Sequence, residues 1–290
     1  MVPLFVIACC CLRRSKRWKR NASWLQAIPE IVTGTGGTID EFGETCLYPD
    51  WGAIEASRGC LEELADNKRI RARVPKIDIV IAQVSDSVKR LQQSTEPGIL
   101  TQVSYMNTHE LAAIVAYTHD LRHETVDKSG NLFFELNNAL RVREQQGRLT
   151  TIRTWGVYMR YAIDGLRRLP NYTSEIEGES GPISWLYRGM PGAGRLVRDY
   201  TPGRTIKWRA FSSTTTDMDV AMEFGNACDN LVFRINACCG KQISMFSAFG
   251  DEREVLLLPG AQFKVMSQPY VGPYGVTFID LREELPTLVF

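Results

Sequence analysis

The chain has 290 residues, 44% of them apolar and 23% charged, an ordinary globular composition with enough apolar material for a real core. The formal net charge of +1 leaves no global excess of positive charge to point to nucleic acid as a partner. The length exceeds one average domain without requiring two.

The chain starts with a leader, residues 1–25. Val2 to Leu12 is an apolar run carrying Cys9, Cys10 and Cys11, followed by Arg13, Arg14, Lys16, Arg17, Lys19 and Arg20. The run is too short to span a bilayer. Its positive charge follows the apolar stretch, the reverse of a secretory signal. Adjacent cysteines beside a polybasic segment suit S-acylation plus attraction to anionic lipid, so residues 1–20 are a candidate membrane-surface anchor. A disordered leader, or a mis-assigned start, is the alternative reading. The sequons at Asn21 and Asn171 matter only in a secreted chain, and the compartment stays open. Cys46, Cys60, Cys228, Cys238 and Cys239 show no CxxC spacing, which argues against a zinc cage, and no metal is expected. The neighbours Cys238 and Cys239 would not normally bridge each other.

Residues 26–95 are poorly assigned. Thr33 to Thr38 is Gly-rich, but no Lys-Ser/Thr follows, so it reads as a loop and not as a phosphate-binding loop. Trp51 to Leu64 and Ile77 to Leu91 read as modestly amphipathic helices. The polar run from Gln93 to the Pro97-Gly98 turn signal marks a boundary, with a second unit at 96–290. There, Asn107 with Glu110 makes a helix start, and Leu111, Ile114, Val115 and Thr118 share a face. Leu132 to Gln146 reads as a helix closed by Gly147 as its C-terminal cap. Ile152 to Leu169 is another, striped by Trp155, Tyr158, Ala162, Leu166 and Leu169 and ended by Pro170. His119 and His123 are spaced as two helical zinc ligands would be. Asp120 stands where a zinc protease needs glutamate, however, and no third ligand suggests itself.

After Pro170 the period changes. Trp185 to Tyr187, Ala210 to Ser213, Leu231 to Ile235, Glu254 to Leu258, Phe263 to Met266 and Val276 to Leu281 read as short strands between Gly, Pro and Asn-rich turns. Helices first and strands afterwards predict an α+β domain.

Three segments carry candidate chemistry. Arg188, before Gly189 at a predicted strand end, offers a forked donor suited to phosphate, while glycine permits close backbone approach. Ser212 to Thr216 is a run of five hydroxyls that would line a polar cleft or form an exposed strand edge. Glu252 and Glu254, two apart before an apolar run, project to one face if the backbone is extended, and paired carboxylates separate in pKa.

In this order the segments resemble the arginine-type family of mono-ADP-ribosyltransferases, which has an arginine strand, a Ser-Thr-Ser-like strand and a Glu-x-Glu turn. Arg188 falls on the first, Ser213-Thr214-Thr215 on the second, and Glu252 and Glu254 on the third. Thr215 is a departure that keeps the hydroxyl. Ile243-Ser244, Ser247-x-Phe249 and the stretch from Phe133 to Arg141 add to the likeness, which covers residues 100–285 and not the N-terminal third.

The resemblance implies two roughly perpendicular sheets forming an NAD cleft beside a helical lobe, NAD as co-substrate, and a protein arginine as acceptor. It implies that Glu254 stabilises a cationic ribose, that Ser213 positions Glu254, and that Arg188 grips the pyrophosphate. The Gly189 backbone would hold the nicotinamide amide, Phe224 would stack on the ring, and Glu252 would receive the guanidinium. Alternatives are an NAD glycohydrolase, a non-catalytic NAD- or protein-binding relative, and a membrane-associated adaptor working through the basic leader.

Overall fold

The structure, a computed structural model, describes residues 51, 54–120, 130–142, 145–172, 184–190, 197–223, 231–247 and 253–284. The leader, the Gly-rich stretch, His123, Phe224 and Glu252 lie outside the described residues.

The first half of the described chain is helical: Cys60–Asp66 (α1), Lys68–Arg73 (α2), Ile77–Gln92 (α3), Pro97–Ser104 (α4), Thr108–Thr118 (α5), Leu132–Leu140 (α6) and Gln145–Arg168 (α7). The start of α5 is fixed by a reciprocal cap. The Asn107 side chain accepts from the backbone of His109 and Glu110 at 2.9 and 3.0 Å, and Glu110 Oε2 accepts from Asn107 N at 2.9 Å. Burial of every residue from Glu110 to Tyr117 makes α5 the central helix of the lobe, where the sequence suggested a single apolar face.

The boundary expected at residues 95/96 is absent from the packing. Cys60, Ile77, Val80 and Val84 share one apolar core with Leu111, Ile114, Trp155 and Tyr158. The Pro-Gly signal is instead the first turn of α4, where proline's missing N–H has no helical partner to lose. Gly147 is likewise no cap: it lies in the first turns of α7, and a Cβ there would collide with the Val142 side chain. Within the range foreseen as a helix, Trp51 to Leu64, residues 54–59 are not helical and α1 starts only at Cys60. His119 caps the end of α5 with extended backbone, and His123 lies outside the described residues.

The second half supplies the sheet: Ser184–Met190 (β1), Thr205–Lys207 (β2), Ser212–Thr215 (β3), Leu231–Ala237 (β4), Lys241–Gln242 (β5), Glu254–Leu257 (β6), Gln262–Val265 (β7), Tyr270–Val271 (β8) and Thr277–Glu284 (β9), with Met218–Glu223 (α8) after β3. The strands follow one path, β2-β7-β9-β4-β1-β3-β6-β5, with β8 on β9. Among the described strands only β4 and β9 run parallel. β1 and β4 are in register along seven positions, Ser184↔Ala237 to Met190↔Leu231. β1 and β3, by contrast, meet at the single pair Tyr187↔Thr215. The α+β expectation therefore holds, with two strand groups joined through that narrow contact.

Two apolar clusters cover the groups, and Val255 and Leu257 of β6 join the one beneath the larger group. Leu186, Phe233, Ile235, Phe263 and Ile279 pack with Tyr200 and Trp208 beneath the larger group. Phe211, Ile243, Phe246 and Leu256 join the core of the helical lobe, so the lobe docks on the β3–β6–β5 side. At this seam the Tyr117 and Phe211 ring centroids lie 4.9 Å apart. Among the described residues no helix is long and apolar enough to cross a membrane.

Candidate active site

Arg188, Ser213 and Glu254 come from three successive strands of the sheet path, β1, β3 and β6, and meet at the narrow join. In the β3–β6 ladder Thr215 lies opposite Glu254 and Ser213 opposite Leu256. Ser213 and Glu254 are thus diagonal neighbours on one face, within reach of each other. Ser213 Oγ donates to Glu254 Oε1 at 2.5 Å, and Arg188 Nη1 donates to the Ser213 carbonyl at 2.7 Å. The result is a short relay from guanidinium through serine to carboxylate.

All three residues are buried, with relative exposures of 1%, 3% and 5% in chain order. Burial pushes the Glu254 carboxyl up to about 7, although the Ser213 hydrogen bond and the Arg188 charge both work to lower it. Burial, then the Arg141 charge, pulls Arg188 down to about 10, which still leaves it cationic at neutral pH. Arg188 is not at a strand end, as the sequence suggested, but inside β1, with its guanidinium carbon 5.6 Å from the centre of the Trp208 ring. Gly189 follows it, in register with Val232 of β4.

The hydroxyl run is no exposed edge. Ser212, Ser213, Thr214 and Thr215 are all buried, which their partners make tolerable. Ser212 Oγ donates to Ala210 O at 3.4 Å, Thr214 Oγ1 donates to Val255 O at 2.6 Å, and Thr215 Oγ1 accepts from Asp217 N at 3.1 Å.

β6 begins at Glu254, and Arg253 before it has φ 41°, in the left-handed region that a non-glycine residue adopts at a cost. The strand periodicity is thus described only from Glu254 onwards, and the same-face expectation for Glu252 lies outside the described residues. Ile243, part of the supporting likeness, donates its backbone N–H to Glu254 O at 3.1 Å and so helps fix the start of β6.

The helical lobe contributes groups that spacing did not mark. Tyr117 is buried near Glu254 and Arg188, and its hydroxyl accepts from Asn137 Nδ2 at 3.1 Å. Asn137 and Arg141 belong to the stretch from Phe133 to Arg141, so the resemblance flagged their segment without giving them roles. Trp208 carries no signal at all: it sits outside any strand, held by its Nε1–H donating to Tyr200 Oη at 3.2 Å.

A buried carboxyl that ionises near neutrality, fixed by a serine and facing a guanidinium, is suited to stabilising positive charge that develops on a bound sugar. Residues 75–284 match the family described as NAD:arginine ADP-ribosyltransferase, and the chain belongs to that family. The chain is 29% identical over 182 residues to a putative NAD(+)–arginine ADP-ribosyltransferase of Mycobacterium avium, covering 61% of this chain and 18% of that protein. It is 31% identical over 225 residues to mouse ecto-ADP-ribosyltransferase 5, covering 73% and 63% respectively. It thus spans less than two thirds of each of these relatives. The solved structure of the ADP-ribosyltransferase HopU1 of Pseudomonas syringae superposes with a TM-score of 0.49 at 20% identity, covering 92% of this chain and 97% of that one.

Proposed function

We propose that the chain is an NAD-dependent mono-ADP-ribosyltransferase that modifies arginine on a protein. The observation that carries this reading is the buried Arg188–Ser213–Glu254 relay, in a chain of this family. In the proposed reaction the bond between ribose C1′ and the nicotinamide nitrogen breaks, and nicotinamide leaves with the electron pair. Glu254, ionised, stabilises the positive charge this leaves on the ribose, and Ser213 holds its carboxylate in place. A guanidinium nitrogen of the acceptor then bonds to C1′ and gives up a proton. Glu252 orients that guanidinium and takes the proton, a task that calls for a carboxylate because free guanidinium is fully protonated. Arg188 holds the β3 backbone and directs positive charge towards the pyrophosphate. Gly189 and Phe224 are assigned to the nicotinamide amide and ring.

The test is incubation with labelled NAD and agmatine as a guanidino acceptor. ADP-ribosyl agmatine and nicotinamide in equal amounts are expected. Nicotinamide release with only free ADP-ribose would make the protein a glycohydrolase, and no release from a folded protein would remove the enzymatic reading. The Cys-rich basic segment, residues 1–20, is assigned to a membrane surface. Replacing Cys9, Cys10 and Cys11 by Ser should move the chain to the soluble fraction, and a wild-type chain already wholly soluble would refute that assignment.

A further inference from the structure

The turn after β4 brings two thiols and a carboxylate together, well apart in sequence from the site residues. Cys238 and Cys239 follow the last residue of β4, and Glu283 lies near the end of β9, the parallel neighbour of β4. The backbone N–H groups of Cys238 and Cys239 both donate to Glu283 Oε2, at 2.7 and 2.9 Å, which holds the carboxylate over the turn. The two sulfurs lie 3.6 Å apart, and the three ligand atoms all fall within 4.8 Å of one another. All three residues are half-buried.

We propose that Cys238, Cys239 and Glu283 form a binding site for a thiophilic divalent cation of the zinc or cadmium type. Two sulfurs bound to zinc at about 2.3 Å in tetrahedral geometry stand about 3.8 Å apart, close to the separation already present. Each thiol gives its proton to solvent as its sulfur bonds to the metal, the carboxylate supplies the third ligand, and water completes the tetrahedron. A disulfide between the two cysteines fits less well. Consecutive Cα atoms are about 3.8 Å apart, and ordinary disulfides need about 4.4–6.8 Å. The absence of CxxC spacing does not bear on this site, because its third donor arrives from a strand more than forty residues away. The bound ion would clamp the ends of β4 and β9 together. It would also stiffen the turn at Gly240, where an added Cβ would lie 2.6 Å from Val255 of β6.

The test uses the full reduced chain, stripped of metal, titrated with Cd²⁺ while the thiolate-to-cadmium absorbance is followed, and separately with Zn²⁺ against a chromophoric chelator. Six further cysteines are present, so the reading is the difference between the wild type and the Cys238→Ser, Cys239→Ser double variant. The double variant should take up one equivalent less and lose the matching absorbance. Glu283→Gln keeps an oxygen for the two backbone N–H groups and should keep the equivalent but bind about tenfold or more weakly. Circular dichroism and thermal melting in chelator establish that both variants fold. Equal stoichiometry in the wild type and the folded double variant would overturn the proposal. So would a Cys238–Cys239 disulfide, found by mass spectrometry, that forms in place of metal uptake.

Discussion

Replacing Glu254 with Gln should make the folded protein more stable at pH 8, not less. In the fold, burial holds the Glu254 carboxyl up to about 7, against an ordinary value of 4.5. Below pH 4.5 the group is protonated in both folded and unfolded chains and has no linked effect. As pH rises from 4.5 to 7 the unfolded chain ionises first and gains free energy that the fold does not share, so stability is lost through that window and stays lost above it. The gap corresponds to about 3–4 kcal/mol at about 1.4 kcal/mol per decade. Glutamine is neutral throughout and can still accept the Ser213 hydroxyl, though its amide N–H groups need partners in a buried site. A net gain of about 1–3 kcal/mol at pH 8 is the expected result, with little change near pH 4. With a urea slope of about 2–3 kcal/mol per molar, that moves the unfolding midpoint up by about 0.3–1.5 M. Urea titrations at pH 4.5, 6 and 8 without NAD measure it. A Glu254→Gln protein no more stable than the wild type at pH 8 would refute the claim that this carboxylate is held against its own solvation. Turnover should fall by about 10²–10³-fold in the same variant, so stability and activity move in opposite directions.

Three further outcomes follow from the site. The wild-type kcat/KM for NAD cleavage should rise with pH through a limb near 7, as Glu254 becomes the anion that the developing cation needs, and a flat profile from pH 5 to 8 would contradict that role. Arg188→Lys keeps a charge but loses the fork, so melting should show a loss of about 1–3 kcal/mol and isothermal titration a weaker NAD complex; no change in either would remove both roles. Glu252→Gln should nearly abolish transfer to agmatine while leaving NAD hydrolysis measurable, because water needs little orientation or deprotonation; an equal loss of both activities would show that the two glutamates act as one unit.

Residue type and order singled out Arg188, Ser213 and Glu254 in the sequence, and the fold brings the three together. Their burial was not legible. Five hydroxyls in a row look solvated, and only the ladder to β6 reveals that Thr214 and Ser213 have partners inside the protein. The long strands β1, β4 and β9 announced themselves by apolar runs, whereas β2, β5 and β8, two or three residues each, offer no period to read. Local signals misled where tertiary contact decides. Gly147 has the look of a helix stop, yet it is glycine because Val142 leaves no room for a Cβ. Pro97-Gly98 has the look of a linker, yet α3 before it and α5 after it share one core. The left-handed Arg253 is another such case: the family resemblance implied a turn at Glu-x-Glu, whereas residue spacing alone suggested an extended strand.

The narrow join between β1 and β3 explains why the site residues cannot be treated as independent. With Tyr187↔Thr215 as the single registered pair, the backbone ladder alone ties the two strand groups together weakly. Arg188 supplements it from the side chain, through its 2.7 Å bond to the Ser213 carbonyl. That bond fixes the same residue whose hydroxyl holds Glu254. Loosening Arg188 therefore shifts Ser213, and a shifted Ser213 releases the carboxylate. A loss of activity on changing Arg188 reports the position of Glu254 as well as any contact with the dinucleotide. Groups linked in this way show strongly non-additive effects, since whichever is removed first takes most of the shared function with it. The proposed catalytic geometry and the join between the two strand groups thus share these two hydrogen bonds.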